Sequence, residues 1–154
     1  MQQSSNRLSS SLGFTLIELM LSIAILGVLT ALSLPVYASF SNRNSLDLAT
    51  QNVVSLLRRA ETYSRGAKLD TQWGVEIQTG QATLFKGSSF ATRNTAYDEV
   101  VTASPSVGLS GLGEVLFSKL SGLPTSTGTI TATSTNSASD TRTITINAKG
   151  VITY

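Results

Sequence analysis

The first third of the chain contains a nearly unbroken run of apolar residues from Phe14 to Leu34. As a helix that rises about 1.5 Å per residue, this run is roughly 30 Å long, which matches the hydrocarbon thickness of a bilayer. One acidic residue, Glu18, lies near its start. The pattern predicts a membrane-spanning helix at residues 14–34 that must accommodate a carboxylate.

After Pro35 the apolar residues become periodic and predict an amphipathic helix. They recur every three or four positions, which is the spacing of a single buried helix face, and the charged residues fall mostly outside this stripe. Gly66 is a plausible stop signal. We therefore expect one helix from Phe14 to Arg65, whose second half, residues 35–66, is the spine of a soluble domain. The stripe consists of Leu46, Ala49, Val53, Leu56, Leu57, Ala60 and Tyr63.

From Thr71 onward apolar and polar residues alternate with a period of two, which predicts β-strands. Trp73–Ile77 and Ala82–Phe85 form a hairpin around Thr79 and Gly80. A glycosylated, low-complexity stalk is the alternative for residues 125–145, but the alternation of Ile144 and Ile146 favours strand. Residues 67–154 are thus predicted to be a β-rich head. The remaining strand candidates are 99–102, 115–117, 129–133, 141–147 and 151–154, and residues 120–128 are predicted to be a loop.

The amino-acid composition excludes several common classes of catalytic site. The 154 residues include no Cys and no His, so zinc sites and His-dependent nucleophilic catalysis are excluded. A Ser–Lys pair would remain, but Ser118 and Lys119 are adjacent, and neighbouring residues of a strand point to opposite faces. No catalytic residue, metal site or cofactor is predicted, and the net charge of +2 does not indicate strong attraction to nucleic acid.

Two ordinary explanations compete for the N-terminal segment. A secretory signal peptide could end at Ala31-Leu32-Ser33, but its apolar core would be longer than the usual 7–15 residues and would contain an acid. A plain membrane anchor explains the length but leaves Glu18 without a purpose. An acid at the centre of a membrane helix costs about 2.5–3.5 kcal/mol, and less near the interface.

The sequence GFTLIE, residues 13–18, resembles the processing site of type IV pilins and of pseudopilins. The resemblance implies that residues 1–13 are a leader, that a prepilin peptidase cuts between Gly13 and Phe14, and that the new Phe14 amine is methylated. It also implies that Glu18, with Thr15, takes part in assembly by pairing with the Phe14 amine of a neighbouring subunit. A carboxylate that is costly when alone becomes tolerable when paired.

Two further residues fit the same resemblance. Gly weakens a helix interior and Pro cannot donate the i→i−4 hydrogen bond. The family carries helix-breaking residues at the offsets of Gly27 and Pro35, and there the helix loosens between them inside the filament. Close helix packing in the membrane remains an alternative for Gly27, and the simple end of a membrane helix remains one for Pro35.

The C-terminal half resembles the GspH/FimT family of minor pilins and pseudopilins. The matching stretches are GEVLFSKLSGLPTSTGTIT (residues 113–131) and TITINAKG (residues 143–150). The resemblance implies an α+β fold, in which a long N-terminal helix packs on a β-rich head.

The same resemblance implies a structural subunit with no enzymatic activity, which joins a type IV pilus or a type II secretion pseudopilus, at or near its tip. The subunit would first lie in the bacterial inner membrane with its head in the periplasm. Its expected partners are the peptidase/methyltransferase, other pilins, the assembly platform and the lipid bilayer.

DNA binding is the alternative function, because some family members bind DNA through a basic motif after the terminal Gly. Here Gly150 is followed by Val151-Ile152-Thr153-Tyr154, which has no Arg, and phosphate contacts need clustered Lys and Arg. DNA is therefore not expected as a partner. A small basic patch does occur around the end of the spine helix, at Arg58, Arg59, Arg65 and Lys68.

Overall fold

The computed structural model describes residues 13–154, apart from the side chains of residues 32–36 and 38. The predicted leader therefore lies outside the described residues except for Gly13. A single long helix, α1, covers Leu16–Arg65, close to the predicted bounds. The chain divides into two units, residues 1–38 and residues 39–154, and the second unit holds the whole β-rich head.

Eight strands follow α1 and form two four-stranded sheets in which every pairing is antiparallel. The first sheet has the order β3-β2-β1-β5 and the second has the order β4-β6-β7-β8. This arrangement confirms the predicted α+β class. The strands are β1 Trp73–Gln78, β2 Gln81–Lys86, β3 Glu99–Thr102, β4 Val107–Gly111, β5 Glu114–Phe117, β6 Gly128–Ser134, β7 Thr141–Ile146 and β8 Ile152–Thr153.

One apolar core joins the head part of α1 to both sheets. The predicted helical stripe is buried in it, except for Tyr63, which is half-buried. Each sheet contributes alternate residues from its strands, as the period of two requires. The head is therefore organised around one face of the helix. The sheet residues in this core are Trp73, Val75, Ile77, Ala82, Leu84, Val107, Leu109, Val115, Phe117, Ile130, Ala132, Ile144 and Ile146.

A second, smaller apolar contact lies on the other face of the first sheet. Gly74 of β1 is opposite Phe85 of β2, and a Cβ added at Gly74 would come within 2.6 Å of the Phe85 ring. The Phe90 ring packs edge-on against Phe85, with centroids 5.6 Å apart. The β2–β3 loop thus covers this face, and Gly74 provides the space for the Phe85 ring.

No strand was predicted for residues 107–111, but β4 occupies them. The strand presents only two apolar residues to the core, Val107 and Leu109, and it also contains Gly108 and Gly111. Glycine is depleted in strands, so this short segment carries little of the usual sequence signal. The other predicted strands are present within one or two residues of their expected bounds.

Candidate functional site

The predicted cleavage point lies in an accessible segment directly before α1. Gly13, Phe14 and Thr15 precede the helix and have no regular secondary structure. The Phe14 side chain is 88% exposed, and a Cβ added at Gly13 would meet no atom within 4 Å. Within the described residues nothing therefore requires a glycine at position 13.

Thr15 and Glu18 form a reciprocal hydrogen-bonded cap at the start of α1. The Glu18 N–H donates to Thr15 Oγ1 at 3.3 Å, and the Thr15 N–H donates to Glu18 Oε2 at 3.2 Å. The Thr15 hydroxyl also donates to the same carboxylate oxygen at 3.1 Å. This is the capping box of a Thr-x-x-Glu sequence, which satisfies two backbone donors that a helix start leaves free. This contact is not among those predicted from the sequence, although the spacing of Thr15 and Glu18 is its signal.

The cap fixes the carboxylate of Glu18 at the first turn of the helix. Negative charge is favourable there because the aligned peptide dipoles make a helix N-terminus positive. The predicted new amine, that of Phe14, belongs to the residue next to Thr15. The structure therefore brings three of the predicted site residues, Phe14, Thr15 and Glu18, into one short stretch.

The helix beyond this cap exposes its apolar side chains on all sides. Ten large apolar residues between positions 16 and 29 are each at least half exposed. Ala24, Ile25, Val28 and Leu29 line a shallow cavity of about 270 Å³. An apolar surface of this extent marks contact with lipid or with other proteins. The ten residues are Leu16, Ile17, Leu19, Met20, Leu21, Ile23, Ile25, Leu26, Val28 and Leu29.

Within the residues that the structure describes, no helical segment meets the combined length and hydropathy criteria for a membrane span.

The two predicted helix-breaking residues both fall inside α1. The helix is assigned without interruption from Leu16 to Arg65, so it includes Gly27 and Pro35. A Cβ added at Gly27 would meet nothing within 4 Å, so the described residues do not require a glycine there. The loosening of the helix at these positions concerns the filament and stays a prediction.

In the basic patch predicted at the end of the spine helix, Arg59 and Arg65 form ion pairs within the head. Arg59 pairs with Glu99 of β3, and Arg65 pairs with Glu61 at 2.6 Å. The Lys68 ammonium lies 3.6 Å from the centroid of the Tyr63 ring. The pairing with Glu99 raises the pKa of Arg59 above its ordinary value, and the hydrogen bond from Arg59 lowers the pKa of Tyr63.

Arg58, like Lys68, has no carboxylate partner among the described residues. Its guanidinium lies 5.8 Å from the centroid of the Tyr154 ring, and it makes no ion pair with any side chain that the structure describes. Two cations without a carboxylate partner, Arg58 and Lys68, are fewer than the cluster that phosphate binding needs. The geometry therefore gives no support to the DNA-binding alternative.

Ser118 and Lys119, the remaining nucleophile candidates, hold the loop after β5 in place. The Ser118 N–H donates to the Leu123 carbonyl at 2.8 Å, and its own carbonyl accepts from Gly122 at 2.8 Å. Lys119 forms an ion pair with Asp70, which lowers the pKa of that carboxyl. Both residues thus have structural contacts, and neither is arranged as a nucleophile and base.

The C-terminal motif closes the head against the last turns of α1. Phe117 pairs with Pro124, so residues 118–123 form a tight loop. The Leu120 N–H donates to the Ser64 carbonyl at 2.9 Å. Gly122 and Gly150 are buried and have φ values of +66° and +81°, which residues with a Cβ rarely adopt. Gly122 and Gly150 of the motif thus meet structural demands at the helix end.

Ser64 ties α1 to the start of β1, and the sequence analysis did not identify it. Its side chain is completely buried, accepts the Trp73 N–H at 2.9 Å and donates to the Trp73 carbonyl at 3.3 Å. A single Ser in a helical stripe is no signal in a sequence, because its partner lies nine positions later in a different element.

Comparisons with known proteins bear on both parts of the chain. The family model described as the prokaryotic N-terminal methylation motif matches residues 8–34. Two fimbrial proteins of Pseudomonas aeruginosa are each 34% identical to the chain in an alignment of 84 positions that covers 49% of this chain and 53% of theirs. The chain thus spans about half the length of these curated relatives.

Among solved structures, the chain resembles the minor pseudopilin EpsH from the type 2 secretion system of Vibrio cholerae. The match has a TM-score of 0.55 and covers 71% of this chain and 94% of that one. The sequence identity is 16%, so the likeness concerns the fold. It agrees with the α+β architecture described above.

Proposed function

We propose that this chain, a member of the type IV pilin and pseudopilin superfamily, is a minor subunit that is processed and assembled into a type IV pilus or a type II secretion pseudopilus. The observation that carries the proposal is the N-terminal segment. An exposed Gly13–Phe14 bond is followed at once by a capped helix with Glu18 in its first turn and an exposed apolar surface beyond it.

The first step is cleavage between Gly13 and Phe14 by a membrane peptidase, which leaves Phe14 with a free amine that is then methylated. Gly13 has open space around it, and no described residue demands its small size. A narrow peptidase cleft explains why a glycine occupies this position. The absence of regular structure at residues 13–15 supports cleavage, because a peptidase needs a segment that it can bind in an extended form.

The second step is docking of Glu18 on the Phe14 amine of a neighbouring subunit. A carboxylate enclosed by apolar helices is costly unless a positive charge and hydrogen bonds compensate it. The cap with Thr15 already holds the carboxylate in place, so little side-chain freedom is lost when the amine arrives. A misplaced subunit would leave both charges unpaired, which makes the pair a device that selects the correct register.

Before assembly, the exposed apolar residues of α1 are held in the bacterial inner membrane, and the head lies on its outer side. Transfer of the ten exposed side chains from lipid to the apolar surfaces of neighbouring subunits keeps them away from water in both states. Gly27 and Pro35 let the helix loosen between them once it is in the filament. The partners are accordingly the peptidase/methyltransferase, the assembly platform and other pilins.

The test separates the charge of Glu18 from its role in the cap. Gln at the third helical position also completes a capping box, so Glu18→Gln keeps the hydrogen bonds with Thr15 and removes only the charge. The neighbouring Phe14 ammonium then has no counter-charge, a defect worth about 3–5 kcal/mol when such a pair is buried. We expect normal cleavage at Gly13 and a loss of incorporation into sheared filaments of at least tenfold.

Ser22→Ala is the matched control. Ser22 lies one turn after Glu18 and donates to its backbone carbonyl at 2.7 Å, so this change alters the same part of the helix without altering its charge. The control should be incorporated like the wild-type chain. Normal incorporation of the Glu18→Gln chain would refute the docking role.

A further inference from the structure

Two carboxylates face each other on the outer face of the first sheet, and the proposed function gives them no role. Glu76 of β1 is directly opposite Glu114 of β5. The Ile77 N–H donates to the Gly113 carbonyl at 2.6 Å, so the opposed residues are a non-hydrogen-bonded pair, the kind whose side chains approach most closely. We call Glu76 and Glu114 the carboxylate pair.

The carboxylate pair has no direct counter-charge. Both residues are half-buried, and neither forms an ion pair with any side chain that the structure describes. Like charges directly opposite each other destabilise a sheet. Burial and the charge of Glu114 accordingly raise the pKa of Glu76. A bound cation would remove this repulsion.

Arg93 is the basic residue whose charge acts on Glu76, but its guanidinium is engaged elsewhere. Its Nε donates to the Asp98 carboxylate at 2.7 Å, and its Nη1 donates to the Phe90 carbonyl at 2.8 Å. The guanidinium also lies 3.7 Å from the centroid of the Phe90 ring. Arg93 therefore holds the β2–β3 loop together and leaves the carboxylate pair without a partner.

Thr83 of β2 adds a third oxygen next to the carboxylate pair. It is directly opposite Glu76, so its side chain leaves the same face of the sheet. Thr83 is only 2% exposed, and its hydroxyl has no hydrogen-bond partner among the described residues. Buried hydroxyl groups generally have a partner. An unpartnered hydroxyl beside two carboxylates therefore indicates a ligand that is bound by oxygen atoms.

These oxygens suit Ca²⁺ better than other common cations. Ca²⁺ takes about six to eight oxygen ligands in a flexible geometry, whereas Mg²⁺ demands a nearly ideal octahedron. A row of side chains from three neighbouring strands meets the looser demand. Among the described residues no third carboxylate joins the pair, so water has to complete the coordination. We expect a dissociation constant of about 0.1–1 mM, as in extracellular Ca²⁺ modules.

We propose that Glu76, Glu114 and Thr83 bind one Ca²⁺ ion on the outer face of the first sheet and that this ion fixes the β2–β3 loop. The link to the loop is Glu114, which accepts the Phe90 N–H at 3.3 Å. The Phe90 ring in turn packs edge-on against Phe85. The proposal concerns the head alone and does not depend on the proposed function.

The experiment measures the urea midpoint of the full chain in detergent micelles at pH 7, with the fluorescence of Trp73 as the signal. The chain is compared in a chelator and in about 10 mM Ca²⁺, roughly ten times the weakest expected dissociation constant. We expect Ca²⁺ to raise the midpoint by about 0.5–1.5 M. The same concentration of Mg²⁺ should give a smaller shift, and NaCl of equal ionic strength should give none.

Substitutions at the three residues identify the site. In the chelator, Glu76→Gln should raise the midpoint because it removes the repulsion, but in Ca²⁺ it should give no further rise because a ligand is lost. Glu114→Gln should abolish the response in the same way, and Thr83→Val should reduce it. Asp140→Asn is the matched control, because this carboxylate is also outside ion pairs but belongs to the second sheet, and its response should equal that of the wild-type chain.

Three outcomes would overturn the proposal. A shift no larger than that in NaCl would mean that Ca²⁺ only screens charge. A full shift in Glu76→Gln and Glu114→Gln would place the ion elsewhere. No shift in the wild-type chain, together with a higher midpoint for Glu76→Gln in both solutions, would mean that the carboxylate pair is a source of repulsion without a ligand.

Discussion

The contact between Ser64 and Trp73 makes Ser64→Ala the sharpest test of how the head is held together. The change removes a fully buried hydroxyl that accepts the Trp73 N–H at 2.9 Å and donates to the Trp73 carbonyl at 3.3 Å. A buried N–H without a partner lowers the stability by about 1–3 kcal/mol. The higher helix propensity of Ala compared with Ser adds roughly 0.5 kcal/mol. We therefore expect a net loss of about 1–2 kcal/mol in the free energy of unfolding.

Urea denaturation of residues 39–154 measures this loss. Trp73 is the only Trp in the chain and is buried next to the altered residue, so its fluorescence reports the transition directly. The urea midpoint should fall by roughly 0.5–1.5 M with an unchanged slope. Ser55→Ala, at an exposed position of the same helix, is the control and should leave the midpoint equal or slightly higher. The fitting error of a urea midpoint is on the order of 0.2 M. If the midpoints of Ser64→Ala and of the control differ by less than about 0.2 M, the reasoning is refuted.

Two further predictions concern the outer face of the first sheet. Burial and the opposed carboxylate of Glu114 raise the pKa of Glu76, so the ionised form of Glu76 destabilises the fold. Glu76→Gln should therefore raise the urea midpoint at pH 7. The gain should vanish below about pH 4, where Glu76 is protonated in both the folded and the unfolded state. An equal gain at both pH values would contradict this cause. Gly74→Ala should lower the free energy of unfolding by about 1–3 kcal/mol because the added Cβ meets the Phe85 ring. Gly80→Ala is the control, because a Cβ at position 80 has open space around it and should not lower the stability. Equal urea midpoints for the two variants would show that the ring moves aside freely.

The sequence predicted the elements of this fold better than it predicted their contacts. The spacing of Leu46, Val53 and Leu57 is a local property of the helix, and all three are buried as expected. The hairpin of β1 and β2 also follows from adjacent residues. In contrast, the division of eight strands into two sheets depends on pairings between distant segments, such as β1 with β5, which no local pattern encodes.

In the candidate site, too, local patterns were predictable from the sequence and tertiary contacts were not. The GFTLIE sequence predicts Gly13, Phe14 and Glu18 as site residues because its pattern is contiguous. The capping box of Thr15 and Glu18 could also have been predicted from its spacing. The ion pair of Arg59 could not have been predicted in this way, because its partner, Glu99, lies forty positions later. Whether a cation is free or paired depends on tertiary contacts, and a count of basic residues does not reveal it.

The central claim is that the chain becomes functional when a cut before Phe14 creates the amine that Glu18 of a neighbour binds. Mass spectrometry of the intact protein, isolated from the filament fraction of the bacterium that produces it, tests this claim most directly. The account predicts a chain that begins at Phe14 and carries a methyl group on its terminal nitrogen. A filament-associated chain that still begins at Met1, or that begins after Ser33, would contradict it.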